Sequence, residues 1–329
     1  MPHVSGPFRP LSRAVGLFAA ACLALPSAQA QVFPARAIHI VVPFAAGGAV
    51  DTVARVVGQR VAEQIGQPVL VENKPGANAN IGADFVAKSP PDGYTLLLGA
   101  NGLAANMTLT KNVPFNTLRD LAPVAGVGYA PLVLVVPAAS TAKTLQDFIE
   151  QARAKRQPVS YGSAGAGSSG HLSSELFKAQ AGFGALHVPY KGGAPALTDL
   201  IGGRLDFMLL NPLEVVQHVK SGRLRALALT GSERLAMLPE VPTFKEAGMS
   251  DFMASVWWGF VVPAKTPKEI VERLQSEVLK ALQSDGVRVK LVGLGAVVAP
   301  TDAATFGKFL KDEIDKWERV VKASGITVE

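Results

Sequence analysis

Short apolar runs alternate with amphipathic stretches along most of this sequence, and that alternation limits the possible folds more than any other feature. Ile38–Val42 is a continuous run rich in β-branched residues, which is typical of a strand buried in a parallel sheet. The next apolar residues recur at helical spacing: Val50, Val53, Ala54, Val57, Val61 and Ile65. Strands predicted at 69–71 and 95–98 flank another helix at 81–88. This order predicts an α/β fold with right-handed crossovers.

The alternation occurs a second time between residues 132 and 229, which indicates a second unit of the same type. Its first helix follows Thr144 and carries Asp147 three residues later, the spacing of a capping box. A strand is predicted at 205–209. The length of 329 residues is also ordinary for two domains.

Two amphipathic helices near the carboxyl terminus need an apolar surface to cover. Thr266 is predicted to cap the first of them, with Pro267 at its first position. The second is predicted from about Asp302 to Ala323. We expect both helices to return to the first sheet.

A returning carboxyl terminus makes the chain cross between the two domains twice. We place the crossings near residues 125–131 and 253–258. Two strands at a double crossing form a hinge, with a cleft between the domains. The predicted domains are residues 31–130 with 256–329, and residues 131–255.

The composition excludes two classes of protein. With 48% hydrophobic and 18% charged residues, the chain is too apolar and too weakly charged to be disordered. Its 32 basic and 26 acidic residues give a net charge of +6. Because that charge is scattered, without a run of five or six basic residues, we expect no nucleic-acid partner.

The first 30 residues have the pattern of an export signal. Arg9 and Arg13 precede an apolar stretch at Ala14–Leu25, and cleavage is predicted after Ala30. The apolar stretch is too short for a membrane span, which needs about 20 residues. The single cysteine, Cys22, lies inside this signal, where lipidation is the alternative interpretation. Removing the signal leaves no thiol for disulfides, catalysis or metal binding.

Two loops of one kind follow strand ends, at Phe44–Asp51 and at Gly162–His171. Each joins a strand to a helix through glycines, and the second adds serine hydroxyls. Free N–H groups and the positive end of the helix dipole suit an anion at such a position. Ligands of open α/β sheets also bind at the carboxyl ends of strands. We expect the loops to face each other across the cleft and share one carboxylate or phosphate. Tight turns without a ligand are the alternative.

Enzymatic interpretations find less support in the residues. Gly165–Gly170 matches G-x-G-x-x-G, but no acid ends the next strand, as a dinucleotide site requires. A serine hydrolase would pair Ser163 or Ser168 with His171 or His187, yet the G-x-S-x-G elbow is absent. The histidines lack the spacing of a metal pair. We therefore expect no catalysis, no cofactor and no metal.

Several motifs, in a fixed order, cover nearly all of the chain after the signal. They are Ile40–Asp51, Gly66–Val69, Glu72–Ala77, Pro91–Leu97, Tyr161–Ser168, His187–Gly192, Leu224–Ala228 and Leu238–Thr243. Together they resemble the tripartite tricarboxylate transporter receptor family, also called Bug-type solute-binding proteins.

This resemblance implies a two-domain periplasmic binding protein of the Venus-flytrap kind, type II-like, with a double-crossover hinge and no catalysis. The ligand would be a small carboxylate, bound in the cleft between the domains. The protein would be a monomer that serves the membrane permease of a tripartite tricarboxylate transporter. A signalling receptor with the same pocket is the alternative.

The resemblance and the two loops together define the candidate ligand-binding residues. They are Phe44, Ala45, Ala46, Gly47, Gly48, Asp51, Asn101, Ser163, Ala164, Gly165, Ser168, Ser169, Tyr190 and Asn211. Asp51 also suits the first turn of a helix for structural reasons alone. Asn101 and Asn211 follow strands, where we expect side chains to tune the ligand. Neither loop contains an arginine, so we expect backbone N–H groups and water to hold the carboxylate.

Overall fold

The computed structural model describes residues 1–6, 33–250, 252, 254–293 and 295–324, so the predicted export signal lies outside the described residues apart from its first six. The strands are β1 (Ile38–Val42), β2 (Val69–Asn73), β3 (Thr95–Gly99), β4 (Leu121–Pro131), β5 (Val133–Pro137), β6 (Val159–Ser163), β7 (Ala185–Pro189), β8 (Met208–Leu210), β9 (Leu224–Leu229), β10 (Ser255–Pro263) and β11 (Val297–Thr301). The helices are α1 (Ala49–Ile65), α2 (Asn80–Ala87), α3 (Gly102–Leu109), α4 (Thr117–Asp120), α5 (Leu145–Ala154), α6 (Ser169–Ala181), α7 (Gly193–Ile201), α8 (Pro212–Lys220), α9 (Lys268–Gln283), α10 (Asp285–Val292) and α11 (Ala303–Ser324). None of the described helices has the length and apolar character needed to cross a membrane.

Six strands from both ends of the chain form the larger sheet, in the order β11-β4-β10-β3-β1-β2. β1 pairs in parallel with β2 and β3, whereas β10 is antiparallel to β3 and β4. Helix α9 packs against α1 and β4, and α11 packs against α3 and β4. The carboxyl-terminal helices therefore return to the first sheet, because their apolar faces are buried there.

The middle of the chain forms a second set of strands. β8, β5 and β9 make an antiparallel sheet, β6 and β7 pair in parallel, and a bridge between Tyr161 and Phe207 connects the two. The backbone crosses between the two sets where Leu132 and Thr230 lie side by side. Leu132 N–H donates to Thr230 Oγ1 at 2.8 Å, and this hydroxyl donates to the Ala254 carbonyl at 2.5 Å. One threonine thus joins the outgoing and returning segments.

Local sequence signals are confirmed in some elements and wrong in others. Thr144 and Asp147 form the predicted capping box of α5. Thr266 does not cap α9, because its hydroxyl donates to the Pro263 carbonyl at 2.7 Å and the helix begins after Pro267. The strand predicted at 205–209 is displaced to β8, since the backbone N–H groups before β8 bond to Ser160.

Candidate functional site

A cavity of about 40 Å³ lies where the two sets of strands meet. It is lined by Phe44, Gly48, Ala49, Val50, Ala100, Asn101, Gly102, Ala164, Ser168, Ser169, Gly170, Gly193, Leu209, Leu210, Asn211, Glu214 and Val256. A cavity needs about 10–15 Å³ to hold one water molecule, so this one holds only a few. A larger solute therefore fits only when the walls move apart.

The two predicted loops meet at this cavity. The candidate residues that line it are Phe44, Gly48, Asn101, Ala164, Ser168, Ser169 and Asn211. Five helices, α1, α3, α6, α7 and α8, begin around it. The convergence arises because the loops after several strands end at the same edge, and each loop opens a helix. The positive ends of five helix dipoles therefore point toward one small volume.

The start of α6 supplies unused hydrogen-bond donors. Ser168 caps this helix, and its hydroxyl donates to the Gly165 carbonyl at 2.6 Å. Within the described part of the chain, the backbone N–H groups of Ser169 and Gly170 have no hydrogen-bond partner. Both residues line the cavity. Two adjacent free N–H groups at a helix start can bind one carboxylate.

The start of α1 is occupied by a carboxyl group of the protein itself. Glu214 Oε1 accepts a hydrogen bond from Ala49 N–H at 3.3 Å, and Oε2 accepts one from Asn211 Nδ2 at 3.2 Å. Burial raises the pKa of Glu214 to about 7. Glu214 was not among the predicted site residues. An acid in the first turn of a helix such as α8 is expected simply because it interacts favourably with the helix dipole.

Asp51 lies beside the cavity but does not line it. Its carboxylate accepts hydrogen bonds from Gly47 N–H at 3.0 Å, Arg55 Nε at 2.9 Å and Asn73 Nδ2 at 2.9 Å. Burial alone would raise the pKa of Asp51, but these hydrogen bonds outweigh burial and lower it. With its oxygens engaged in this way, Asp51 holds the first loop in shape and does not line the cavity.

The remaining candidates from the first loop also lie outside the cavity lining. These are Ala45, Ala46 and Gly47. Ala45 N–H donates to the Lys191 carbonyl at 2.9 Å, which joins the first loop to the segment after β7. Gly47 has a positive φ of 83° and supplies the N–H that Asp51 accepts. Ala45 thus contacts the opposite wall, Gly47 shapes the loop, and Ala46 is exposed.

Tyr190 and Asn101 use their polar atoms for the fold. Tyr190 lies outside the cavity lining, and its hydroxyl donates to Asp199 Oδ2 at 2.6 Å. Burial, together with Asp199, raises the pKa of Tyr190 to about 12. Asn101 does line the cavity, yet its amide donates to the Ser255 carbonyl and accepts from Trp257 N–H. Asn101 therefore fixes β10 at the cavity wall.

Ser163 and Gly165 belong to the second loop but do not line the cavity. Ser163 is fully buried, and its Oγ lies 2.7 Å from His187 Nε2 and 3.0 Å from the Gly165 carbonyl oxygen. Gly165 N–H also donates to this Oγ, at 3.1 Å. The serine and histidine that a hydrolase would need do touch, but the serine is fully buried and its hydroxyl is engaged within the turn. Among the described residues, no group of three His, Cys, Asp or Glu could hold a metal ion.

Acid is expected to destabilise the protein through two stacked histidines, one at the end of the second loop and one on β7. The rings of His171 and His187 stack at 4.1 Å, and burial lowers their pKa values from 6.5 to about 4 and about 3. Between these values and pH 6.5 the unfolded chain therefore binds more protons than the folded one. The free energy of unfolding consequently decreases as the pH is lowered through this range. Glu214 acts oppositely, because its pKa is raised from 4.5 to about 7. Two histidines against one glutamate leave a net loss that grows from a few tenths of a kcal/mol per pH unit at pH 6.5 to about 1 kcal/mol per pH unit at pH 5.5. Burial also lowers the pKa of His218, which adds to the loss.

Urea unfolding at pH 6.5, 6.0 and 5.5 measures this slope. His187→Gln removes one of the two stacked histidines, so His171 and Glu214 should nearly cancel and His218 should account for the remaining slope. We expect the variant to be less stable than the wild type at pH 6.5 but to lose less stability per pH unit in this range. An unchanged slope in the variant would contradict the assignment.

Comparison with known proteins agrees with the fold. Residues 53–326 match the family described as "Tripartite tricarboxylate transporter family receptor". The structure of the periplasmic binding protein BugD has a TM-score of 0.87 and 30% sequence identity, over 90% of this chain and 100% of that chain. The two-domain periplasmic binding protein fold and its α/β class are thereby confirmed.

Two further solved structures contain bound carboxylates. MatC from Rhodopseudomonas palustris, with bound malate, has a TM-score of 0.83 and 33% identity, over 88% of this chain and 100% of that chain. Rpa4515 from R. palustris, with adipate, has a TM-score of 0.86 and 35% identity, over 90% of this chain and 99% of that chain. From the family match and these likenesses we conclude that the chain belongs to the tripartite tricarboxylate transporter receptor family.

Proposed function

We propose that this protein binds a small carboxylate in the cavity and delivers it to the membrane permease of a tripartite tricarboxylate transporter. The observation that carries the proposal is the pair of free N–H groups on Ser169 and Gly170, two residues that line the cavity at the start of α6. Bound malate and adipate in two similar structures support the chemical class. A charge-assisted hydrogen bond contributes about 1.5–3 kcal/mol, so two such bonds are a substantial part of a micromolar affinity.

Binding requires that the cavity open and close. We propose residues 31–130 with 256–329 as one domain and residues 131–255 as the other, with the Thr230 junction as the pivot. A solute favours the closed form only by contacts that are made when both walls are in place. Here the walls come from the first loop on one side and from α6 and α8 on the other.

We also propose that the protein is exported to the periplasm and cut after Ala30. The charged start, the apolar stretch and the small residues of the first 30 positions support this. Amino-terminal sequencing of protein recovered from the periplasm should begin at Gln31. A different first residue would contradict the proposed cleavage site.

Small carboxylates are expected to raise the melting temperature, whereas neutral sugars and cations are not. Ligand that binds only the folded protein stabilises it by about 2.7 kcal/mol at one hundred times Kd. A thermal-shift screen with succinate, adipate, glutamate and benzoate, against glucose and putrescine, measures the effect. Shifts with glucose or putrescine alone would refute the proposed function.

A further inference from the structure

The cavity contains one charged side chain, and it is acidic. Among the described residues that line the cavity, only Glu214 is titratable, and none is a lysine, arginine or histidine. The described chain provides no ion pair to Glu214. A cavity built for a dianion alone would not be expected to hold a carboxyl group without a cationic partner.

The Glu214 carboxyl group lies directly against the backbone of two glycines. A Cβ on Gly193 would lie 2.0 Å from Glu214 Oε1, and a Cβ on Gly48 would lie 3.3 Å from the same atom. Glycines at both positions therefore let the carboxyl group rest against the starts of α1 and α7. Because Oε1 also accepts from Ala49 N–H, the anion site at α1 is already filled by the protein.

Asn211 adds an acceptor without a partner. Its Nδ2 donates to Glu214 Oε2, whereas its Oδ1 is buried and has no hydrogen-bond partner within the described residues. Asn211 is 6% exposed and lines the cavity. A buried acceptor left unpaired costs about 1–3 kcal/mol, so a donor from the solute would be favourable here.

The cavity thus has two chemically opposite ends. Free N–H donors of Ser169 and Gly170 lie on the α6 side, and the acceptors of Asn211 and Glu214 lie at the start of α8. A carboxylate suits the first end. The second end suits a group that donates several hydrogen bonds and carries positive charge, which describes an ammonium group. Burial raises the pKa of Glu214, and a bound cation would favour its charged form.

We propose that Glu214 and Asn211 bind the ammonium group of the solute, so that the protein selects amino acids over carboxylic acids that lack the amino group. This inference rests on the proposed function, because it assumes that the carboxylate binds at α6. Glu214 is then a specificity-determining residue.

Isothermal titration at pH 7.5 with matched pairs tests the inference. The pairs are aspartate and succinate, glutamate and glutarate, and phenylalanine and 3-phenylpropionate, each differing by one amino group. For at least one pair we expect the amino acid to bind at least tenfold more tightly than its partner. Glu214→Gln keeps the size of the side chain and its acceptor for Ala49 N–H but removes the charge. This variant should bind the amino acid more weakly, so that the preference falls to less than threefold.

The control variant is Glu269→Gln, which changes an exposed glutamate on α9 and should retain the wild-type preference. Thermal melting shows that both variants are folded. If the amino-free acids bind as tightly as the amino acids, or if Glu214→Gln keeps the preference, this inference is wrong and the proposed function remains. Preference for malate over both aspartate and succinate would also refute the ammonium assignment. If no carboxylate binds to the wild type, the proposed function fails and this inference fails with it.

Discussion

Gly170→Ala is expected to weaken carboxylate binding at least tenfold while the protein remains folded. A Cβ on Gly170 would lie 2.6 Å from the backbone carbonyl oxygen of Leu209, a distance that real Cβ atoms do not adopt. Leu209 belongs to β8 and is held in register with Leu134 of β5, so its carbonyl cannot move cheaply. The start of α6 must withdraw instead, and it carries the N–H groups of Ser169 and Gly170 away from the carboxylate.

Titration with the carboxylate that gives the largest thermal shift measures this loss. Overpacking costs about 1–3 kcal/mol, so the melting temperature of the free protein should fall moderately. Gly286→Ala is the matched control, because a Cβ at Gly286 on α10 meets no atom within 4 Å. The control should bind like the wild type. Wild-type affinity in Gly170→Ala would show that the start of α6 does not hold the carboxylate.

The elements with strong local patterns could be predicted from the sequence. β1 is a continuous apolar run, and α1 carries six apolar residues at helical spacing before Gly66 ends it in the left-handed region. The two glycine loops were recognised because a strand end followed by glycines and a helix start is itself local. That the two loops would meet at one cavity was inferred from the fold class and not from a predicted contact between them.

The sequence alone did not predict elements whose residues are determined by contact with a segment far away in the chain. In β4, a Cβ at Gly128 would lie 2.2 Å from the Val297 carbonyl oxygen, so the close approach of β11 requires glycine there. Glycine lowers strand propensity, so the sequence indicated only a crossing near residues 125–131 and not the full length of β4 or its pairing with β11. β11 and α3 were missed as well, since their short segments have no strong period.

The roles of single acidic residues were also beyond the sequence. Glu214 and Ala49 are 165 positions apart, and their hydrogen bond depends on how two domains close. Asp51 was expected to face a ligand, but its partner Asn73 lies on β2, 22 positions away. Local sequence identifies both residues as first-turn acids and cannot distinguish the one in the cavity from the one that holds a loop.

Phe177→Ala is expected to lower the free energy of unfolding by about 3–5 kcal/mol, the range for deleting a buried aromatic side chain. Phe177 lies on α6 and is fully buried. Its ring lies between 5.1 and 6.1 Å, centroid to centroid, from the rings of Phe148, Phe183, Phe207, Phe244 and Phe252. Removing it leaves a cavity at the centre of this aromatic cluster, and the surrounding elements cannot all move in to fill it.

The same substitution should also lower the affinity for the carboxylate. The aromatic cluster supports α6, the helix whose first N–H groups are proposed to hold that carboxylate. Urea unfolding at pH 7.5 measures the stability, and melting should occur on the order of 10 °C lower. Phe85→Ala on α2 is the control: this ring is 45% exposed, and its main polar contact is Lys74 Nζ at 4.2 Å. Its loss should cost about 1 kcal/mol or less. If the two variants were equally stable, the aromatic cluster could not be the support of α6, and the carboxylate site would depend on the loop alone.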